Sequence, residues 1–76
     1  MMEKKEIKTF LKDGKIEEIY TKNFKDENES VFLEIYKCRN CNKLFLFIEI
    51  EKKDKIKTNA RKLLYDIKMH LSKHNI

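Results

Sequence analysis

The stretch YKCRNCNKLF, residues 36–45, holds both cysteines of the chain, Cys38 and Cys41. Two cysteines separated by two residues occur as a redox pair, as a disulfide, or as half of a four-ligand metal site. A chain of 76 residues buries only a small core, so any covalent or metal cross-link contributes strongly to its stability. The first question is therefore which of the three this pair forms.

Apolar residues alternate on both sides of the cysteine pair. In VFLEIYKC, residues 31–38, and in LFLFIEIE, residues 44–51, the pattern repeats every second residue and is rich in aromatic and branched side chains. This period is typical of β-strands. We predict a hairpin of two strands joined across CRNC. Apolar side chains lie on both of its faces near the cysteines, so each face needs cover.

The N-terminal part, EIKTFLKDGKIEEIYTKNF at residues 6–24, has Asp13-Gly14 at its centre. Asp-Gly is a strong signal for a two-residue hairpin turn, because both residues accept a positive φ. A turn at this point would pair Leu11 with Ile16, and Ile7 with Tyr20, on one face. We therefore predict a first β-hairpin, whose exposed edges could join two chains into a homodimer.

The apolar period changes after about Asp54 or Thr58, where three- and four-residue steps are typical of one helix face. That stripe comprises Ile56, Ala60, Leu63, Leu64, Ile67, His70, Leu71 and His74. With the polar run KDENES, residues 25–30, as a loop, the expected order is ββ-ββ-α, a small α+β fold. We expect one compact domain, in which residues 1–35 form a hairpin extension and residues 36–76 the metal-binding part.

The only two histidines, His70 and His74, stand four residues apart on this predicted helix. An i, i+4 pair projects from one helix face, so both imidazoles can reach one ion. Two thiolates from Cys38 and Cys41 and two imidazoles make the closed tetrahedral set that zinc prefers. We therefore predict one structural zinc ion per chain, and metal binding coupled to folding.

Three other interpretations of these residues are weaker. A thioredoxin-like redox motif opens a helix after a strand, whereas Cys38 and Cys41 lie between two predicted strands. A disulfide between them would close a loop too short to stabilise the chain much. The histidines could be incidental, but they are the only two in the chain and have the required spacing.

Charge is unevenly distributed along the chain. Residues 1–36 carry seven lysines and nine acidic residues, a net charge of −2, whereas residues 37–76 carry eleven Lys or Arg and four acidic residues, a net charge of +7. A basic region of this kind favours phosphate backbones, although a solvated lysine surface has the same composition. No stretch resembles a signal peptide or membrane span, so we expect an intracellular protein, in the cytoplasm, nucleoid or nucleus, without a membrane partner.

The residues around the ligands resemble the two-cysteine two-histidine zinc finger family. Tyr36 stands two positions before Cys38, Phe45 follows Cys41 after three residues, and Ile67 precedes the H-x3-H pair with the family's spacing. Lys43 also matches the family's knuckle. Asn42 stands where the family usually has glycine, which fits because asparagine tolerates left-handed backbone better than most residues. The sequence departs from the family at residues 46–66, which replace a much shorter segment. Fingers of the BED type also have long middles, and "HLSKH" is similar to their last helix.

This resemblance implies a DNA-binding protein, and specifically a small transcription regulator bound to double-stranded DNA. The family's helix register places base-reading positions at Leu63, Tyr65, Asp66 and Met69. Because the predicted helix begins earlier, Asn59, Arg61 and Lys62 are better placed, with Asn59 suited to adenine and Arg61 to guanine. Lys55 and Lys57 would add phosphate contacts.

In a second interpretation, the protein holds a structural zinc ion but does not bind DNA. In it, the acidic and aromatic N-terminal hairpin is the docking surface of a protein-interaction adaptor. An enzyme is less consistent with the sequence, because a closed four-ligand site activates no water and the chain has no spare Cys or His. We expect no small-molecule substrate.

Overall fold

In a computed structural model, which describes residues 2–74, the chain forms one four-stranded antiparallel sheet and two helices. The elements are α1 (Met2–Lys12), β1 (Ile16–Lys25), β2 (Glu29–Cys38), β3 (Leu44–Lys52), β4 (Lys55–Thr58) and α2 (Ala60–Ser72). The strands follow one another across the sheet in chain order. The expected α+β class, with a four-stranded sheet followed by a C-terminal helix, is confirmed. Among the described residues, no helix is both long and apolar enough to cross a membrane.

The hairpin across the cysteines forms as predicted. β2 and β3 pair from Glu29 opposite Lys52 down to Lys37 opposite Leu44, which leaves residues 38–43 as the connection. Tyr36 and Phe45 are directly opposed and both are buried. These two central strands therefore place the cysteines at one end of the sheet.

The predicted first hairpin is wrong, because residues before Gly14 form helix α1 rather than a strand. The Asp13-Gly14 pair ends this helix. Gly14, at φ 75°, donates its N–H to Leu11 O at 3.1 Å, and Lys15 donates to Phe10 O at 3.0 Å. These two bonds are the Schellman arrangement of a helix C-terminus. The alternation of Ile7 and Leu11 that suggested a strand also fits a helical spacing, because Ile7, Phe10 and Leu11 lie on one face.

A different hairpin occupies the N-terminal half, since β1 pairs with β2 instead of with residues 2–12. Its turn is Asp26–Asn28, a shorter segment than the expected loop at 25–30. Asp26 Oδ1 accepts the N–H groups of Asn28 and Glu29 at 2.8 and 2.9 Å, which fixes the turn. The boundary expected between residues 35 and 36 falls inside β2, which pairs with β1 on one side and β3 on the other.

The long segment 46–66 contains a further strand as well as helix. It comprises most of β3, a tight turn with Lys53 at φ 45°, all of β4, and the first two turns of α2. The helix therefore begins at Ala60, later than the residue 54–58 region where the period changes. Ile56, assigned above to the helical stripe, lies on β4 and is 57% exposed.

Both helices pack on the same face of the sheet. The buried strand residues share that face by their register, and with the helix residues they form the core: Ile7, Ile16, Tyr36, Cys38, Phe45, Phe47, Ala60, Leu63, Leu64, Ile67 and Leu71. Lys68 of α2 and Glu6 of α1 form an ion pair at 2.8 Å where the helices meet. No element of the described residues covers the other face of the sheet.

A buried polar cluster fastens α1 to the sheet. The Lys4 ammonium pairs with the carboxylate of Glu34 and donates to Tyr36 Oη at 2.8 Å, while Tyr36 donates its hydroxyl to Glu34. The same ammonium lies 3.8 Å from the ring centroid of Phe47. Burial, helped by the charge of Lys8, lowers the pKa of Lys4 to about 8. At neutral pH the amine still carries its proton and compensates the Glu34 charge.

We expect Lys4→Met to lower the free energy of unfolding by about 3 kcal/mol, because it leaves the Glu34 carboxylate buried without a counter-charge. Adding Glu34→Gln, which keeps an acceptor for Tyr36, should recover more than half of that loss. Urea unfolding of the zinc-loaded variants measures both effects. Lys5→Met, an exposed neighbour, is the control, and equal losses in Lys4→Met with and without the second change would contradict this role.

Candidate metal centre

The turn after β2 positions the two thiols. Cys38 donates its N–H to Lys43 O at 2.8 Å, and Asn42 donates to Cys38 O at 3.0 Å, so the chain reverses within six residues. Asn42 has φ 64°, the left-handed conformation that asparagine tolerates better than most residues. The tight turn brings Cys41 back beside Cys38, which is fully buried while Cys41 is exposed.

Helix α2 carries the two imidazoles to this turn. Ile67, fully buried, and Leu71, 8% exposed, hold the last turns of the helix against the sheet. The Phe45 ring meets His70 edge to face, with the ring centroids 5.5 Å apart. Because His74 follows one turn later, both imidazoles project from the end of α2 over the cysteine turn.

The four ligand atoms converge on one point. They all lie within 4.8 Å of one another. Cys41 Sγ is 2.9 Å from His70 Nε2, Cys38 Sγ is 3.7 Å from His74 Nε2, and the two Nε2 atoms are 3.2 Å apart. A tetrahedral zinc ion with normal Zn–S and Zn–N bonds separates its ligand atoms by about 3.3–3.8 Å. The group is thus placed to bind one metal ion, and its size and donors are consistent with one zinc per chain.

The charges around the site favour neutral imidazole, which is the form that binds metal. Burial, followed by the charges of His74, Lys43 and Lys73, lowers the pKa of His70 from its ordinary value. The two cysteine thiolates would supply negative charge that balances these lysines and a bound divalent cation. The donor set therefore matches a structural zinc site, whose four protein ligands leave no position for water.

Neither cysteine is in a disulfide, and neither begins a helix. Both observations fit the metal site better than the redox pair or the disulfide considered above. No family model matches the chain, and no curated protein or solved structure matches it either.

The residues proposed above for DNA contact are divided among several parts of the surface. Lys62, Asp66 and Met69 line a groove between α2 and β3, next to His70. Arg61 lies on the opposite flank of α2, beside Glu3 of α1. Tyr65, 63% exposed, is on the solvent side of the helix.

Of the other three candidates, Asn59 also lines this groove, whereas Lys55 and Lys57 do not. Lys55 and Lys57 belong to β4, toward the end of the sheet away from the cysteine turn. The Asn59 amide is occupied within the fold, since its Nδ2 donates to Leu46 O at 2.7 Å and its Oδ1 accepts Ile48 N–H at 2.9 Å. Asn59 continues the strand ladder where β4 ends, so its role is structural and we assign it no adenine contact.

Sequence reasoning missed two basic residues of the groove, Lys43 and Lys73. Lys43 is in the cysteine turn and Lys73 follows the last residue of α2, so they are thirty positions apart in the chain. The metal site itself brings these two segments together. The spacing of the metal ligands was therefore the sequence signal that could have identified Lys43 and Lys73 as neighbours.

We expect one zinc per chain by native mass spectrometry, and its loss with a chelator should release α2 from the sheet and reduce helical circular dichroism. Cobalt in its place should give the absorption of a tetrahedral site with two thiolates. Cys41→Ser and His70→Ala should each lose most of the metal affinity, because one of four bonds is removed. Asn40→Ser in the same turn is the control. Full metal binding by His70→Ala would show that the imidazole is not a ligand.

Proposed function

We propose that the protein is a zinc-dependent DNA-binding protein of the two-cysteine two-histidine finger type, acting as a small transcription regulator. The supporting observation is the basic groove beside the zinc ligands. The metal would order this groove, because its ligands join α2 to the turn that leads into β3, and α2 and β3 form the two walls. Zinc would be structural, as in fingers that fold only when metal is bound.

The groove has a size and charge suited to a phosphate backbone. Its volume is about 540 Å³, and Lys43, Lys62 and Lys73 line it against a single acidic residue, Asp66. All three lysines are exposed. Lysine side chains contribute affinity through phosphate contacts and counterion release, and these contacts do not depend on base sequence.

The position of α1 determines the side from which DNA would approach the groove. Because α1 packs beside α2 and pairs with it through Glu6 and Lys68, that flank of α2 is covered. DNA would approach from the other flank, where Asp66 and Met69 lie between the lysines. Asp66 could accept a hydrogen bond from a cytosine amino group, and Met69 could contact a thymine methyl.

The proposal includes an intracellular location, where thiols stay reduced and available to zinc. It includes no catalytic activity, because four protein ligands leave the metal without an open position. A single small module contacts few base pairs, so specific binding calls for a second module or a second chain.

The alternative is a zinc-stabilised adaptor that binds protein and makes no direct DNA contact. The observation that favours it is the apolar face of the sheet opposite the helices, which includes the half-exposed side chains of Tyr20, Phe24 and Leu46. The two functions differ in their response to salt, since only phosphate contacts weaken steeply as salt rises.

We expect the zinc-loaded protein to bind a random-sequence duplex, with affinity falling steeply with salt. Replacing Lys43, Lys62 and Lys73 by alanine should reduce the slope of log K against log salt by about 0.9 for each phosphate that is no longer neutralised. Fluorescence anisotropy at several salt concentrations measures this slope. The control replaces three exposed lysines of α1, Lys5, Lys8 and Lys12, and so has the same net charge.

Two results would contradict the proposal. One is no binding of the duplex by zinc-loaded protein at low salt, which would favour the adaptor. The other is an equal loss of affinity in the groove variant and the α1 variant, which would mean that net charge alone attracts DNA.

A further inference from the structure

The face of the sheet opposite the helices is an ordered apolar surface. The strand register places its side chains in three successive rows: Tyr20, Ile35 and Leu46; then Lys22, Leu33 and Ile48; then Phe24, Val31, Ile50 and Lys57. The two central strands contribute only aliphatic residues to these rows. Of the apolar side chains, Tyr20, Phe24 and Leu46 are 48–50% exposed and the others are half-buried by their strand neighbours. We call this surface the open face.

The open face is large enough for a stable interface. Strands lie about 4.8 Å apart and rise about 3.3 Å per residue, so three strands of nine or ten residues and one of four residues present a face of about 500 Å². A standard protein interface buries about 800 Å² on each partner, including the sides of the side chains. The three apolar rows occupy about 300 Å² of this face, which is the size of the largest apolar patch on a typical monomer, and such patches often mark interaction sites.

Its composition favours packing against side chains rather than against bases. Base stacking needs aromatic rings, and the only aromatic residues on the open face, Tyr20 and Phe24, lie on the edge strand β1. The centre is aliphatic, as in the inner faces of two-sheet sandwiches.

The two halves of the open face are complementary to each other. A two-fold axis running along the strands, between β2 and β3, would place β2 of one copy over β3 of the other. It would set Val31 against Ile50, Leu33 against Ile48, and Ile35 against Leu46, so that side chains of similar size meet in every row.

The charged residues of the two halves of the open face are also complementary. The β1–β2 half carries two acidic residues and two lysines, whereas the β3–β4 half carries only lysines: Lys52, Lys55 and Lys57. Glu17 already pairs with Lys37 at 3.1 Å, which leaves Glu29 at the far end. The same axis brings Glu29 of one copy to the Lys52 end of the other, and brings the Phe24 ring toward Lys57. Like charges are thereby kept apart.

We propose that the open face is a homodimer interface, in which two copies pack sheet to sheet. Each strand of one copy runs parallel to the same strand of the other copy, and β2 of one copy faces β3 of the other. This goes beyond the proposed function and does not depend on it. The dimer would place both zinc sites at one end. Its sheets would lie about 10 Å apart, and the two α2 helices on the outer surfaces would be about 30 Å apart.

Native mass spectrometry and light scattering of the zinc-loaded protein test the interface without DNA. We expect a dimer at micromolar concentration. Leu33→Lys and Ile48→Lys should each raise the dimer dissociation constant by about a hundredfold or more, because two symmetric charges are buried. Ile56→Lys makes the same change on β4 but on the other face of the sheet, and should remain dimeric. Zinc stoichiometry and circular dichroism confirm that each variant is folded.

A charge exchange tests the arrangement of the two sheets. Glu29→Lys should weaken the dimer, and adding Lys52→Glu should restore it. A monomer at all concentrations overturns the proposal, including a monomer whose open face binds anionic phospholipid vesicles. A dimer that persists in folded Leu33→Lys and Ile48→Lys also overturns it, since the copies would then join elsewhere, for example along the β1 edge.

Discussion

The convergence of two thiols and two imidazoles on one point is the constraint on which the structure depends. Cys38 and Cys41 belong to a turn between strands, and His70 and His74 belong to the end of a helix. An ion at this point joins the sheet to α2 where the apolar contact ends, at Phe45, Ile67 and Leu71. In so small a core, a metal–ligand set of this kind contributes on the order of 10 kcal/mol of folding free energy, comparable to the whole stability of a domain.

The two faces of the sheet have different structural roles. One face is covered by α1 and α2 and carries the core, the buried Lys4–Glu34 pair and the metal site. The other face is apolar, regular and uncovered by the described elements. The basic groove opens at the side of the helical layer and meets the open face at Leu44 and Leu46, so nucleic acid and a second chain would contact adjoining but largely separate surfaces. DNA binding and dimer formation are therefore compatible in one molecule.

The parts of the fold that could be predicted from the sequence were those fixed by local chemistry. The strands on either side of the cysteines followed from their period of two, and the ligand group followed from residue type and spacing. The turn conformation of Asn42 followed from its left-handed tolerance. Helix α1 was missed because the spacing of Ile7 and Leu11 fits both a strand and a helix, and an Asp-Gly pair ends a helix as readily as it turns a hairpin. Only the packing of Ile7 against the sheet selects the helix over the strand.

The site beyond its ligands was harder to predict because it depends on tertiary placement. Asn59 looked like a free polar residue at a helix start, but its amide completes the edge of β3. Arg61 and Lys62 are adjacent in the chain and lie on opposite flanks of α2. The groove lysines come from segments thirty residues apart. Their proximity depends on the folded arrangement of β3, β4 and α2.

The separation of the ligands along the chain also has a consequence for the order of folding. The segment between Cys41 and His70 contains β3, β4 and most of α2, so the two halves of the site meet only after this loop has closed. Cys38 and Cys41 would be close enough to hold an ion before the helix docks, whereas His70 and His74 would complete the site only once α2 packs on the sheet. The two halves of the ligand set would therefore form at different stages of folding.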